Sequence, residues 1–351
     1  MSPPGSTEET LMALARLLKN RRRDPGPENF ERVLQMANHQ AFPTSRSYHL
    51  PAGEVACRFR QTEWADWLDE VWEPYRLDGP TGEPTLCLDF VPDGPKWPQA
   101  PDYSQGPPWL HYGAITPVER SFWIYQRPQL RAWCQRGGRT PYRAIVALPS
   151  GPLQDVLLPM DLRKPLLLPL LDWLSCHPSV PFLGAALNYR GRGIALLGPP
   201  NCGKSTLLGH CLEAAQRDDG WGWVCDDPVV LDCRASQATA RGLFVGSWAN
   251  HPVGGEKIFQ RKTEWPAPQA EVALQTLVFP EYAPHQSHRL EPLTPVQAFK
   301  AWSSSLGLVP GRRDRWFDHQ VMGLLQVLPA YRLRMGACDS ALISLLLRCL
   351  P

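Results

Sequence analysis

The sequence predicts an α/β protein in two parts, a P-loop domain in the C-terminal half and a smaller α+β domain before it. Three observations carry this. The apolar run Ile194-Ala195-Leu196-Leu197 feeds directly into Gly198-Pro199-Pro200-Asn201-Cys202-Gly203-Lys204-Ser205, a complete G-x-x-x-x-G-K-[ST] pattern. A helix-forming stretch beginning at Lys204 and Ser205 follows, which supplies the strand–loop–helix context the pattern requires. Upstream of residue 180, short strand-like runs are interleaved with amphipathic helical stretches, and no repeat of fixed period is present.

The chain has 351 residues, room for two domains, and 43% hydrophobic residues, enough for sizeable cores. Fourteen tryptophans argue against disorder, and 38 prolines spread along the chain imply many rigid loops. A net charge of +2 gives no bulk attraction to nucleic acid or to a membrane, so neither is expected as a partner. Ten cysteines occur without a CxxC pair, and Met1-Ser2-Pro3-Pro4-Gly5 opens without an apolar secretory stretch. Reduced thiols and a cytoplasmic location are therefore expected. The greasiest run, from Pro165 to Leu171, is far short of the ~20 residues of a membrane span.

Taken in order, Ser6-Thr7-Glu8-Glu9 reads as a capping box opening a helix through Leu18, and a second short helix runs through Phe30 and Leu34. These form a helical segment over 1–45. The next domain, 46–180, starts with two strands, Tyr48-Leu50 and Val55-Phe59, around a turn. Trp64, Trp67, Leu68, Val71, Trp72 and Tyr75 recur at helical spacing, so an amphipathic helix with a buried aromatic stripe is expected. Leu86-Val91, Phe122-Tyr125 and Ala144-Leu148 read as strands, the Pro-rich stretch from Pro92 to Pro108 as a loop, and Lys164-Cys176 as a helix containing a proline. The P-loop domain spans 181–351. It begins with two apolar strands separated by Arg190-Gly191-Arg192-Gly193.

The loop dictates its own chemistry. Its glycines allow backbone conformations and close approaches that a Cβ blocks. Successive N–H groups can then converge on phosphates, reinforced by the N-terminus of the following helix. Gly198, Pro199, Pro200, Asn201, Cys202, Gly203, Lys204, Ser205 and Thr206 are the candidate nucleotide-binding residues. Lys204 supplies a charge for the outer phosphates, and Ser205 a hydroxyl for Mg²⁺. ATP and Mg²⁺ are the expected cofactors. About twenty residues on, Trp221-Gly222-Trp223-Val224-Cys225-Asp226-Asp227 reads as a buried strand ending in two acids. Strand–helix–strand geometry would bring them beside the loop, where one carboxylate accepts a proton and the other holds the metal.

Gly191 to Gly198, the complete loop, and then Val224-Cys225-Asp226-Asp227-Pro228-Val229-Val230-Leu231 resemble the HPr kinase/phosphorylase group, which is related to ATP-dependent phosphoenolpyruvate carboxykinase. The resemblance covers about residues 180 to 235. More loosely, Leu274-Phe279 and Pro329-Leu333 with a C-terminal helix look like that group's remaining elements. It implies Lys204, Asp226 and Asp227 as catalytic residues, with Asp226 activating an acceptor hydroxyl, and Ser205 and Asp227 at the metal. The two aspartates are also compatible with the reverse assignment. Two positions depart from the group's pattern. Leu183 stands where a histidine is usual, and Thr239 where a glutamate precedes an Arg-Gly pair, if Arg241-Gly242 is that pair. HPr as substrate and phosphorylase chemistry are therefore not carried over.

The leading expectation is an ATP- and Mg²⁺-dependent kinase acting on a hydroxyl, with a serine of a small protein or peptide as acceptor. A small-molecule kinase with the same site, or a nucleotide-binding regulatory or scaffold module with little turnover, are the alternatives. Homo-oligomerisation is left open. Arg241, Lys257, Arg261 and Lys262 are weaker candidates for a phosphate clamp. His285 and His288 lie in a polar loop and are not expected to bind metal.

Overall fold

In the computed structural model of the protein, the described residues are 41–92, 121–126, 129–135, 141–148, 166–167, 169–171, 173–174, 177, 179–215, 220–232, 238–250, 257–260, 264–303, 315–336 and 339–350. The expected helices before residue 35 and the loop over 93–108 lie outside them. The architecture is mixed α/β with two large sheets.

The first sheet uses β1 (Thr44–Leu50), β2 (Gly53–Phe59), β3 (Arg76–Leu77), β4 (Leu86–Pro92), β5 (Ser121–Gln126), β6 (Gln129–Gln135) and β7 (Tyr142–Leu148). Their order is β3-β1-β2-β4-β7-β6-β5. β2, β4 and β7 run parallel at the centre, flanked by antiparallel pairs. β6 escaped the sequence reading, although Leu130, Ala132 and Cys134 repeat at the two-residue period of a strand. α1 (Thr62–Val71) packs its aromatic stripe inward: Trp64 and Trp72 are fully buried. The stripe was expected to continue as helix to Tyr75. Instead the helix ends at Val71, and a single 3-10 turn, Glu73–Tyr75, holds Pro74 near its start, where the missing N–H costs nothing. The helical residues among 166–174 add Leu166, Leu167, Leu170, Leu171, Trp173 and Leu174 to the same core.

The second sheet contains β8 (Ser179–Phe182), β9 (Gly184–Tyr189), β10 (Arg192–Leu197), β11 (Trp221–Asp226), β12 (Val229–Asp232) and β13 (Thr239–Gly242). β14 (Ser247–Asn250) and β15 (Lys257–Gln260) form a separate hairpin. β16 (Glu271–Tyr282), β17 (Arg289–Leu293) and β18 (Ala330–Met335) complete the sheet. The path is β11-β9-β10-β16-β13-β12-β8, with β18 joining β16 and β17. The twelve-residue β16 pairs with β13 near its start and with β18 over its carboxyl half.

Period-two alternation sends the two faces of β10 into different cores. Ile194 and Leu196 meet Leu207, Leu208 and Cys211 of α2 (Lys204–Ala215). Ala195 and Leu197 face the opposite cluster, with Ala298 and Trp302 of α3 (Pro295–Ser303) and Val321 and Leu324 of α4 (Arg315–Val327). The last helix, α5 (Ser340–Leu347), joins the α2 side, and Asp339 caps it by accepting from the Leu342 N–H at 3.0 Å.

The two sheets share a seam. Val230, Leu243 and Phe244 are buried in the core of the first sheet. Trp72 stacks on Phe244 with centroids 6.4 Å apart, and the Val245 N–H donates to the Val71 carbonyl at 3.0 Å. The chain then enters β14 at Ser247, so the first sheet supports a segment that reaches the phosphate loop's surroundings. Among the described residues no helix is long and apolar enough to cross a membrane.

Candidate functional site

β10 and β16 are parallel, β16 and β18 are parallel, and β11 runs the same way because each of β10 and β11 is antiparallel to β9. Four carboxyl ends therefore share one edge of the sheet, the place where open α/β sheets collect ligands. The phosphate loop leaves β10 at this edge.

The loop is tight where its glycines stand. Gly203 has φ +102°, and a Cβ there would run into Met335 Cε. A Cβ on Gly198 would sit 2.6 Å from Cys202 Sγ. Pro199, Pro200 and Asn201 are exposed at the tip. Lys204 is 7% exposed and donates from Nζ to the carbonyls of Gly198 and Pro199, each at 2.9 Å, while Cys202 Sγ lies 3.8 Å away. The ammonium is thus held over the loop by weak neutral acceptors that a phosphate would outcompete. Thr206 is exposed on the first turn of α2.

Asp226 is 1% exposed, and both its oxygens are engaged. Ser205 Oγ donates to Oδ1 at 3.0 Å, and Ser247 Oγ to Oδ2 at 2.7 Å. A bulge makes this contact. Trp223 pairs with Leu187 but Cys225 with Ala186, so Val224 is the extra residue of β11. Trp221 and Trp223 lie in the α2-side core, whereas Val224 and Cys225 lie in the opposite one. The next residue, Asp226, returns to the α2 face and meets the start of that helix. Strict alternation would have pointed it the other way.

Asp227 follows in the left-handed region, φ 44°, which aspartate tolerates better than most side chains. Its N–H donates to the Gly184 carbonyl at 2.6 Å, which ties this turn to the start of β9. The resemblance implied Ser205 and Asp227 at the metal, with the reverse assignment of the two aspartates also compatible. Asp226 is the one hydrogen-bonded to Ser205. Burial, and then the neighbouring Asp226 charge, raise the Cys225 thiol well above its ordinary value of 9.0, so it stays protonated behind the site.

The residues present fit a nucleotide phosphate with a hard cation. The loop is a glycine cradle that a Cβ would fill, and Ser205 and Asp226 form a hydroxyl–carboxylate oxygen pair. Among the described residues no group of three or more His, Cys, Asp or Glu side chains converges to hold a metal alone. A cation here would share its shell with phosphate oxygens, as Mg²⁺ does in nucleotide sites.

Arg241, on β13, is paired with Glu271 of β16. Lys257 opens β15, and Arg261 and Lys262 lie outside the described residues. His288 bonds Asp339 Oδ1 at 3.1 Å and accepts from the Gly336 N–H, so it ties a loop to the α5 cap. Leu183 is buried between β8 and β9, and Thr239 begins β13 opposite Ala273. Ser247 was missed, because a serine in Gly246-Ser247-Trp248 carries no pattern in sequence.

On the other flank of the loop, Leu197 to Cys202, Phe279 to Tyr282, Ala301 and Arg332 line a cavity of about 390 Å³. Tyr282 is 57% exposed there.

No protein-family model matches the chain, and no curated protein matches it. Among solved structures, the HPr(Ser) kinase/phosphatase from Coxiella burnetii aligns with a TM-score of 0.28 and 16% identity, over 48% of this chain and 93% of that one.

Proposed function

We propose that the protein is an ATP- and Mg²⁺-dependent kinase of the HPr-kinase-like class that phosphorylates a hydroxyl, with a serine of a protein or peptide as acceptor. The observation that carries it is the contact between Ser205 Oγ and Asp226 Oδ1, 3.0 Å long, at the end of a complete phosphate loop. It joins the loop to a buried carboxylate at the point where the outer phosphate and its cation belong.

Loop N–H groups and the N-terminus of α2 hold the phosphates. Lys204 exchanges its carbonyl partners for the outer phosphate oxygens and offsets their charge. Ser205 and Asp226 hold Mg²⁺, and Ser247 keeps the Asp226 carboxylate in place. When bound, Mg²⁺ supplies charge neutralisation on the transferring group. Asp227, partly buried at the mouth, takes the acceptor's proton. This takes the second of the two assignments that the sequence left open for the aspartates. In the transfer, the acceptor oxygen forms a bond to the γ-phosphorus. The bond from that phosphorus to the β–γ bridging oxygen breaks, its electron pair leaves with ADP, and the hydroxyl proton passes to the carboxylate.

The test is incubation of the full chain with γ-labelled ATP and a cell extract, beside Lys204→Ala. Wild type is expected to label a discrete species, and the variant to lose that labelling by about 10²-fold or more. Equal labelling by the two proteins sinks the kinase reading. Tight ATP binding with no labelled species is the outcome expected of a nucleotide-sensing module instead.

A further inference from the structure

The cavity on the β16 and β18 flank shares the wall formed by Gly198 to Cys202 with the phosphate loop, and its other walls suit a particular ligand. Asp226 ends β11, on one side of the phosphate loop, and Phe279 to Tyr282 end β16, on the other. A nucleotide whose outer phosphate meets Ser205 and Asp226 must leave the loop in the opposite direction, toward the cavity. There Tyr282 carries a large ring that is 57% exposed, while Phe279, three residues earlier on β16, is only 5% exposed. The Arg332 guanidinium lines the same space, 37% exposed, with Glu281 Oε2 at 3.7 Å from its Nε. An exposed aromatic ring and a guanidinium lining one cavity are the chemistry that receives a planar base, and a carboxylate accepts from sugar hydroxyls. The volume of about 390 Å³ lies within the usual range for small-ligand clefts.

We propose that this cavity is the nucleoside subsite, with the base stacked on Tyr282, Arg332 at its edge and Glu281 toward the ribose. The assignment rests on the nucleotide reading above and adds where the nucleoside goes. It gives the two flanks separate tasks: phosphate and cation on the β11 side, nucleoside on the β16 side.

The experiment measures dissociation constants of Mg·ATP and of inorganic tripolyphosphate by calorimetry, for the full chain as wild type, Tyr282→Phe and Tyr282→Ala. Tyr282 is more than half exposed, so neither substitution opens a core. Tyr282→Ala is expected to raise the ATP constant about tenfold, the scale of one lost base–aromatic stack, while leaving tripolyphosphate unchanged. Tyr282→Phe keeps the stack and should bind ATP as wild type does. An unchanged ATP constant in Tyr282→Ala overturns the subsite, and so does wild type that binds ATP no better than tripolyphosphate. A raised acceptor KM with unaltered ATP binding overturns it too, because the cavity would then belong to the acceptor. Wild type that binds neither probe sinks the nucleotide reading itself, a result distinct from the other three.

Discussion

The two flanks of the phosphate loop are built in opposite ways. On the β11 flank the polar atoms are buried and committed: Asp226 is 1% exposed and takes a hydroxyl on each oxygen. On the β16 flank the side chains stand open, with Tyr282 57% exposed and Arg332 only loosely paired, at 3.7 Å from Glu281 and 3.8 Å from Glu291. Preorganised dipoles act on developing charge without reorganising, so a rigid flank suits a chemical step. A stacking surface must admit and release its ligand, so an open flank suits binding. The difference teaches that one edge of one sheet can carry two kinds of surface, one committed and one open, divided by the strand that carries the loop.

That division can be broken most directly at Asp226. Asp226→Asn keeps the shape but removes the charge, and transfer is expected to fall about 10²–10³-fold with the ATP dissociation constant nearly unchanged. Tyr282→Ala is expected to do the converse, weakening ATP binding and sparing the rate at saturation. Single-turnover labelling at saturating ATP separates the two. If both substitutions weaken ATP binding equally, the flanks are not distinct.

A finer test is Ser247→Ala. It deletes one hydrogen bond to a buried carboxylate, worth roughly 1.5–3 kcal/mol when the acceptor is charged. A drop in transfer of about tenfold or more is expected, with Ser247→Thr recovering much of it. Ser247 follows the segment that docks on α1 through Val245 and Phe244. The end of α1, packed on the first sheet, therefore reaches the rigid flank through one intervening residue, Gly246. A weaker version of the same loss is expected from Trp72→Phe, which thins the stack on Phe244.

The smallest effect concerns pH. Burial raises the thiols of Cys57 and Cys225 well above 9.0, and burial pushes Cys349 up to about 12. In the unfolded chain these thiols ionise near their ordinary values, so above about pH 9 the unfolded state binds fewer protons than the native one. Stability is therefore full below that pH and declines as pH rises toward the native values. Urea midpoints at pH 8 and pH 10 check this, and Cys225→Ala should reduce the decline by one thiol's share.

Local signals were legible where they were dense. The β9–β10 pair, the loop and α2 stand where the pattern placed them, because strand, glycine turn and helix are each dictated within a few residues. The tryptophan stripe was correctly read as core, since Trp64, Trp67 and Trp72 repeat at helical spacing and are buried. β6 was overlooked although its alternation is present, and the helix end at Val71 was overrun because Pro74 begins a new turn without breaking the apolar spacing. The pairing of Asp226 with Ser205 could not be read at all. It depends on the extra residue in β11 opposite Leu187 and Ala186, and nothing in Trp223-Val224-Cys225 marks a bulge.

By itself, then, the sequence determined that a strand, a glycine loop and a helix would follow one another, and that two carboxylates would end a nearby buried strand. Those are matters of backbone conformation and short spacing, settled within each segment. The tertiary structure alone decided which carboxylate meets Ser205, that Ser247 steadies it, and that an open aromatic face lies across the loop. Each of these depends on strands distant in sequence, β9 against β11, β14 beside β11, and β16 with β18 beside β10. Pairing between such strands follows from how two cores pack, and no local pattern encodes it.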